Sequence, residues 1–216
     1  VHVKKHVTST NKGINIEDIG VIAVTCRLPG GSNSPIAFWE FLCSEGDGMT
    51  DIPYTRFDVD KYFDPIIGVQ DKMYVKRAAF IDDAEMFDHK IFGISAQEVL
   101  NMDPQQRIAI ETAYECLVMA NGENNDTSSI GMYVAVCSRD FAELKISSPV
   151  GPFTATGAAL SIVANRISYI LGLNGPSMSI DTACSSSLVA MDIACKALQN
   201  NDCDETVVVG VNMNLT

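Results

Sequence analysis

Short apolar runs, bounded by polar or turn-forming residues, recur along the chain and predict buried strands. These runs are 19–25, 130–137, 178–180 and 206–211. Val, Ile and other β-favouring residues make up much of each run, and each has the four-to-eight-residue length typical of strands or falls just below it. From residue 130 onward the runs alternate with helical segments. We therefore expect an α/β domain with a mixed or parallel sheet between helices.

Helix-start residues stand before the segments in which apolar residues recur three and four positions apart. Ser34 and Asp103 each precede a proline, and Ser95 forms a capping-box pattern with Glu98. Further helices are predicted at 160–171, which Gly172 follows, and at 185–200. These signals predict where four of the helices begin or end.

Two segments show no periodic spacing of apolar residues that would predict a helix or a strand. Residues 1–18 are largely polar and predict a linker or N-terminal arm ahead of a domain that occupies 19–216. Residues 46–83 interleave charged and aromatic side chains. A loop of that length inside a compact domain is unusual and often functional.

The composition and net charge of the chain limit the kinds of molecule that it is expected to bind. The chain is 47% hydrophobic and carries a formal net charge of −12. An acidic surface disfavours phosphate backbones and anionic membranes, so we expect no nucleic-acid partner and attribute the charge mainly to solubility. No apolar run reaches the ~20 residues that span a bilayer, and no secretory signal opens the chain. The first residue is valine, which leaves open whether the chain is a natural truncation or an excerpt.

Seven cysteines are spread along the chain without the spacing of a metal site. They are Cys26, Cys43, Cys116, Cys137, Cys184, Cys195 and Cys203. Their number is odd and no two form a C-x-x-C pair, which argues against a disulfide framework and a zinc site. Such cysteines suit a reducing compartment, so we expect a cytoplasmic protein. For all but Cys184, the expected role is packing as a small hydrophobic side chain.

Cys184 differs because a predicted strand leads through small residues to this cysteine and then into a helix. The segment reads SMSIDTACSSSL from Ser177 to Leu188. Backbone N–H groups and the dipole at a helix start stabilise negative charge. They would favour a nucleophilic thiolate and an oxyanion formed when an acyl group is attacked. From position alone, ordinary packing remains the alternative role.

A nucleophilic cysteine normally needs a base or proton partner. The chain has three histidines, His2 and His6 in the predicted arm and His89 in a polar turn. We expect all three to be exposed and to take no part in chemistry. The residues alone therefore predict a nucleophile without an obvious base.

Eight further motifs stand in order around the cysteine segment. They are 26–31 (CRLPGG), 57–65 (FDVDKYFDP), 92–95 (FGIS), 102–107 (MDPQQR), 166–169 (RISY), 175–177 (GPS), 203–204 (CD) and 210–212 (GVN). Together with DTACSSSL at 181–188 they resemble the β-ketoacyl synthases of multidomain polyketide and fatty acid synthases. The resemblance covers roughly residues 19–216.

The resemblance implies a thiolase-like fold, in which two similar α/β halves form an αβαβα core and this chain supplies the first half. It implies that Cys184 accepts an acyl chain from an acyl carrier protein encoded in the same polypeptide. A malonyl-type extender then loses carbon dioxide and attacks the acyl thioester. The domain itself would need no cofactor, because the carrier's phosphopantetheine holds the substrate. The parent protein would be a homodimer.

In the family, two histidines and a lysine from the second half assist decarboxylation, and none of them maps onto His2, His6 or His89. We therefore expect an active parent protein and an inactive isolated chain. Three departures bear on pocket shape and activity: Ala135 and Asn165 stand where glycine is usual, and Ala78-Ala79 replaces a frequent glycine pair. The alternative is a truncated or degenerate condensing domain that serves dimerisation or carrier docking. A degradative thiolase is a weaker alternative.

Overall fold

The computed structural model describes residues 1–7, 17–121, 129–146 and 149–215, and they fall into two compact units. The larger unit is drawn from residues 1–25 and 85–212, and the smaller from 26–84 and the residues from 213 onward. The division into an arm at 1–18 and a domain at 19–216 stays a prediction.

The described residues form seven strands and seven helices. The strands are β1 (His2–Val7), β2 (Glu17–Ala23), β3 (Met49–Asp51), β4 (Arg77–Ala79), β5 (Ile130–Ala135), β6 (Ser177–Ile180) and β7 (Glu205–Gly210). The helices are α1 (Pro35–Cys43), α2 (Ala96–Val99), α3 (Pro104–Asn121), α4 (Asp140–Lys145), α5 (Thr154–Ala158), α6 (Leu160–Leu171) and α7 (Ser186–Gln199). Short 3-10 turns occupy Val59–Lys61 and Ala183–Ser185.

A five-stranded mixed sheet forms the centre of the larger unit, with the strand order β2-β1-β7-β5-β6. The strand β1 runs antiparallel to both β2 and β7, whereas β5 runs parallel to both β7 and β6. The mixed sheet predicted from the alternation of strands and helices is therefore present. Its parallel part brings the carboxyl ends of β5, β6 and β7 to one edge.

Both faces of this sheet are covered by helices, because alternate residues of the central strands point to opposite sides. Met132 and Val134 of β5 belong to a buried cluster with residues of α3 and α6. Tyr133 and Ala135 belong to a second buried cluster with residues of α7. All six residues of β5 are buried. The larger unit thus has three layers, helix, sheet and helix.

The predicted helix starts are confirmed by their capping bonds. The Ser34 hydroxyl accepts a hydrogen bond from the Ala37 N–H at 3.1 Å, and Ser95 accepts one from the Glu98 N–H at 3.2 Å. At the other end of α6, Gly172 adopts the left-handed conformation, with φ of 68°. Glycine adopts such angles without steric cost, which is why α6 ends there.

The strand β1 lies within the segment that was predicted to be a linker or N-terminal arm, and it pairs with β2 and β7 in the sheet. His2 is fully buried, and its Nε2 lies 2.7 Å from Oε2 of Glu205 on β7. Lys4 pairs with the other carboxylate oxygen of Glu205 at 2.5 Å. The polar residues that suggested a linker are therefore satisfied by a partner about 200 positions away, which no local pattern indicates. Residues 8–16 of the predicted arm lie outside the described residues, and its last two residues belong to β2.

The smaller unit contains the whole of the long irregular stretch at 46–83. Its regular structure is limited to α1, the antiparallel pair β3 and β4, and one 3-10 turn. The Lys76 ammonium lies 4.2 Å from the centre of the Phe63 ring and 2.9 Å from the Asp60 carboxylate. Interleaved charged and aromatic residues thus contact one another here. In the larger unit, the short helices α4 and α5 were not predicted. No helix among the described residues combines the length and apolarity needed to cross a membrane.

Gly175 leads into β6 at a point where two backbone segments touch. A Cβ atom at this position would lie 2.6 Å from the backbone N of Gly131 and from the carbonyl of Ile130. We expect Gly175→Ala to lower the free energy of unfolding by about 2 kcal/mol, because backbone atoms on both sides would have to move. Gly20→Ala is the control, since the nearest atom to its Cβ would be 4.0 Å away. Urea denaturation of the two variants checks this, and equal stability would contradict it.

His2 should make stability depend on pH. Burial lowers the pKa of His2 from 6.5, although the Glu205 carboxylate acts in the opposite direction. Below pH 6.5 the unfolded chain takes up a proton that folded His2 resists, so the free energy of unfolding should fall as pH falls. Above that pH the contribution is intact. Denaturation between about pH 7.5 and about pH 5.5 should show a steeper loss for the wild type than for His2→Gln, and parallel losses would contradict this.

Candidate active site

Cys184 lies at the carboxyl edge of the parallel strands. It occupies the 3-10 turn that joins β6 to α7, and its side chain is exposed. Ile180 at the end of β6 is in register with Ala135 at the end of β5, which in turn is in register with Gly210 at the end of β7. The predicted position, on a strand-to-helix turn at the start of a helix, is therefore where the structure places this cysteine.

The residue before Cys184 has an unusual backbone. Ala183 adopts a left-handed conformation with φ of 54°. For a residue with a Cβ atom this costs about 1–2 kcal/mol. Thr182 before it is also outside the helical region, with φ of −132° and ψ of 36°. The chain thus turns sharply from the strand into the helix and presents Cys184 at the bend.

Hydrogen bonds from neighbouring side chains hold this bend. The Asp181 carboxylate accepts a bond from the Ala183 N–H at 3.0 Å, and the Ser185 hydroxyl donates to the Thr182 carbonyl at 2.8 Å. The Ser186 hydroxyl accepts a bond from the Thr182 N–H at 2.8 Å and donates to the Ala183 carbonyl at 2.7 Å. Each such bond contributes about 1 kcal/mol, so the set is large enough to offset the left-handed residue.

The start of α7 faces the turn without a side-chain cap. Ser185 is the N-cap residue, yet it makes no side-chain cap hydrogen bond to the helix. The first N–H groups of a helix have no partner within the helix, and together with the helix dipole they favour negative charge nearby. The geometry can therefore stabilise a thiolate or an oxyanion at Cys184.

Gly210 explains the close approach of β7 to this helix start. A Cβ atom at this position would lie 2.6 Å from the Ser187 Oγ. A larger residue would require the Ser187 hydroxyl to rotate away from its present position. The glycine of the 210–212 motif therefore has a packing reason next to Cys184.

The 102–107 motif forms a buried polar network at the end of β5. Asp103 and Gln105 are almost fully buried, and the Gln105 amide donates to the Asp103 carboxylate and to the Ser138 carbonyl, both at 3.1 Å. Burial raises the pKa of Asp103, although hydrogen bonds from Gln105 oppose this. The Ser138 hydroxyl in turn donates to Asp140 at 2.9 Å. The first turn of α3 thus holds the loop that follows β5.

A second set of contacts holds the short helix α5. The Gln106 amide donates to the carbonyl oxygens of Thr156 and Gly157, each at 3.0 Å. Arg166 on α6 forms an ion pair with Glu98 and also donates to the Thr156 carbonyl at 3.5 Å. The 102–107 and 166–169 motifs therefore act together as structural supports for α5.

The histidines do not all behave as expected. His2 was predicted to be exposed, but it is fully buried and pairs with Glu205, because β1 lies inside the sheet. His89 is half-buried, with Nδ1 2.5 Å from the Ile94 carbonyl oxygen. The side chain of His6 lies outside the described residues. Each described histidine thus has a partner other than Cys184.

Packing was predicted for six cysteines and is found for some of them. Cys116 and Cys203 are buried, and Cys26 and Cys195 are half-buried. Burial raises the pKa of the Cys26, Cys195 and Cys203 thiols. The packing prediction is wrong for Cys43 and Cys137, which are exposed. Cys43 is the last residue of α1, a helix with no buried residues, and Cys137 lies two residues beyond the buried strand β5.

The chain is similar to known proteins over almost its whole length. The family model described as "Beta-ketoacyl synthase, N-terminal domain" matches residues 16–216. The chain belongs to the β-ketoacyl synthase family. Its α/β architecture is accordingly the first half of the thiolase-like fold, with the mixed sheet between helices that the resemblance implied.

Relatives of this β-ketoacyl synthase chain are large polyketide synthases. A mycocerosic acid synthase-like polyketide synthase of Mycolicibacterium smegmatis is 37% identical over 204 residues, covering 93% of this chain and 10% of its own length. A highly reducing polyketide synthase of Pyrenophora dematioidea is 36% identical over 204 residues, covering 91% and 8%. The chain therefore spans about a tenth of the length of these curated relatives.

Solved ketosynthase domains share its fold. The oxazolomycin ketosynthase domain OzmH KS7 of Streptomyces albus JA3453 aligns with a TM-score of 0.82 at 30% identity, covering 91% of this chain and 35% of that one. The ketosynthase from module 6 of the bacillaene synthase of Bacillus subtilis 168 aligns with a TM-score of 0.75 at 30% identity, covering 100% and 32%. The chain corresponds to about a third of each solved domain.

The positions that depart from the family's usual residues are accommodated in the structure. Ala135 is buried between β6 and β7, and Ala78 and Ala79 pair with β3. Asn165 on α6 is exposed, and its Oδ1 accepts a hydrogen bond from the Ser177 hydroxyl at 3.0 Å. Asn165 therefore adds a contact between α6 and β6 that glycine could not make.

Asn165 offers a test of that contact. We expect Asn165→Gly to lower the free energy of unfolding by about 1 kcal/mol, because the hydrogen bond is lost and glycine disfavours a helix. Asn165→Ala loses the same bond but gains helix propensity, so its change should stay below about 0.5 kcal/mol. Chemical denaturation of both variants gives the comparison. A glycine variant as stable as the wild type would show that the contact contributes nothing.

Proposed function

We propose that this chain is the part of a condensing domain that carries the acyl-accepting nucleophile, and that the nucleophile is Cys184. The observation that carries the proposal is the exposed thiol on a left-handed strand-to-helix turn, in a chain of the β-ketoacyl synthase family. Six other cysteines are present, and the four that are buried or half-buried are less accessible to a substrate. Cys43 and Cys137 are exposed but are not followed by a helix start of this kind.

The proposed reaction has two stages. In the first, the Cys184 thiolate attacks the carbonyl of an acyl thioester on the phosphopantetheine of a carrier protein. A tetrahedral oxyanion forms, which N–H groups at the start of α7 would stabilise, and it collapses to acyl-Cys184 and the free carrier thiol. In the second, a malonyl-type extender loses carbon dioxide, and its carbanion attacks the acyl-Cys184 carbonyl. The Cys184 thiolate leaves, and the β-ketoacyl thioester stays on the carrier.

The remaining parts of the machinery are proposed to come from beyond this chain. Two histidines and a lysine of the second half would assist decarboxylation, and the carrier protein would belong to the same polypeptide. The strand β6 is an edge strand of the described sheet, and we propose that the parent protein dimerises beside it. The seven free cysteines fit a cytoplasmic location. These 216 residues alone should not catalyse carbon–carbon bond formation.

The test is covalent loading of the full-length protein with an acyl-carrier thioester, followed by mass spectrometry of the cysteine-containing peptides. Cys184→Ser should reduce loading at least about a thousandfold, because the attacking thiol is removed. The matched control is Cys137→Ser, an exposed cysteine beyond the neighbouring strand β5, which should load within about twofold of the wild type. Loading that persists in Cys184→Ser would contradict the proposal.

A wild-type protein that forms dimers but never acquires an acyl group would instead favour the alternative of a degenerate scaffold. In that case the bend at Ala183 would be a structural remnant. Turnover by the isolated 216 residues would contradict the expectation that the second half is required.

A further inference from the structure

The Ser186 hydroxyl is placed to hold the backbone on both sides of one residue. It accepts the Thr182 N–H at 2.8 Å and donates to the Ala183 carbonyl at 2.7 Å. Its side chain is only 6% exposed, so water cannot readily replace these bonds. The donor and an acceptor of the hydroxyl are both used, and both partners belong to the turn that precedes Cys184.

The two groups bonded to Ser186 lie on either side of the Ala183 φ angle, which is in the left-handed region that alanine rarely adopts. The N–H of Thr182 lies before Ala183 and the carbonyl of Ala183 lies after its φ angle, which is 54°. Rotation toward the ordinary right-handed region would move at least one of these groups away from Ser186. The hydroxyl therefore stabilises the left-handed state against relaxation.

The other side chains that bind the turn each contact the backbone on one side of the Ala183 φ angle only. Asp181 binds the Ala183 N–H, and Ser185 binds the Thr182 carbonyl. Both Asp181 and Ser185 are exposed, so water competes for their bonds. Ser186 differs because it is buried and is itself the first residue of α7. It ties the turn to the helix whose start faces Cys184.

We propose that Ser186 is a positioning residue, which keeps Cys184 at the start of α7 by locking Ala183 in its left-handed conformation. This inference rests on the proposed role of Cys184. Without the lock, the peptide between Ala183 and Cys184 rotates, and the sulfur leaves the place where the helix start stabilises negative charge. The acyl-transfer step then slows although every group that touches the substrate is still present.

The first experiment uses the full-length protein and three variants: Ser186→Ala, Ser186→Thr and the control Ser161→Ala, an exposed hydroxyl on α6. Iodoacetamide alkylation of Cys184 is measured by peptide mass spectrometry against Cys137 as an internal reference. Condensation of a short acyl thioester of N-acetylcysteamine with the malonyl-type extender, followed at increasing concentrations of the acyl thioester, gives kcat and KM. Thermal unfolding shows whether each variant is folded.

For Ser186→Ala we expect alkylation of Cys184 relative to Cys137 to fall about tenfold, and kcat to fall at least as much, with KM within about twofold. Ser186→Thr keeps the hydroxyl and should recover most of the loss, and Ser161→Ala should match the wild type. Wild-type alkylation and kcat in folded Ser186→Ala would overturn the proposal. So would an equal loss at Cys184 and Cys137, which would indicate general loosening.

A second variant keeps the test decisive if Ser186→Ala is poorly folded. Glycine adopts positive φ without steric cost, so Ala183→Gly removes the strain that Ser186 is proposed to hold. In the Ala183→Gly background, we expect Ser186→Ala to reduce alkylation and kcat by less than about threefold. An undiminished tenfold effect in that background would overturn the proposed mechanism.

The outcomes separate the two proposals. If Cys184→Ser still acquires the acyl group, the assignment of the nucleophile fails whatever Ser186 does. If Cys184→Ser does not load while Ser186→Ala behaves as the wild type, the nucleophile stands and only the positioning role fails.

Discussion

The burial of the central strands on both faces is the constraint on which the rest of the larger unit depends. Every residue of β5 is buried, and five of the six residues of β7 are buried. Strands of this kind need a helical layer on each side, here α3 and α6 on one and α7 on the other. Because helices cover both faces of the sheet, the parts of the sheet open to a substrate are the ends of the strands. The turn that carries Cys184 lies at one of these ends.

A buried polar network supports the loops at the same edge. Asp103, Gln105 and Gln106 lie at the start of α3, yet all three are at most 2% exposed. The side chains of Gln105 and Gln106 bind backbone carbonyls of the loop after β5 and of α5, and the Asp103 carboxylate binds Gln105. Apolar residues of the same size would fill the space but would leave those carbonyls without partners. Polar residues at these positions therefore fix loop geometry rather than contact solvent.

Local signals in the sequence predicted most of the longer elements but not their long-range partners. Helix starts at Ser34 and Ser95 were predicted because the capping residue lies within four positions of its partner. The strand β1 was missed because its buried histidine is paired with Glu205, far away in sequence. The position of Cys184 on a strand-to-helix turn was predicted from the small residues around it and from the spacing of apolar residues in the segments on either side. The left-handed state of Ala183 could not be predicted, because nothing in an alanine marks it and the hydroxyl that holds it follows three positions later.

The position of β1 between β2 and β7 also sets the order in which the sheet can assemble during synthesis. The ribosome produces β1 long before β7, which is the second neighbour of β1 in the sheet and ends only at Gly210. Pairs so distant in sequence form late, because a long loop must close before the contact is gained. During translation the edge of β1 that pairs with β7 must therefore stay unpaired until β7 has been synthesised. An unpaired edge can pair with other chains, so a nascent chain of this protein is exposed to misassembly until β7 leaves the ribosome.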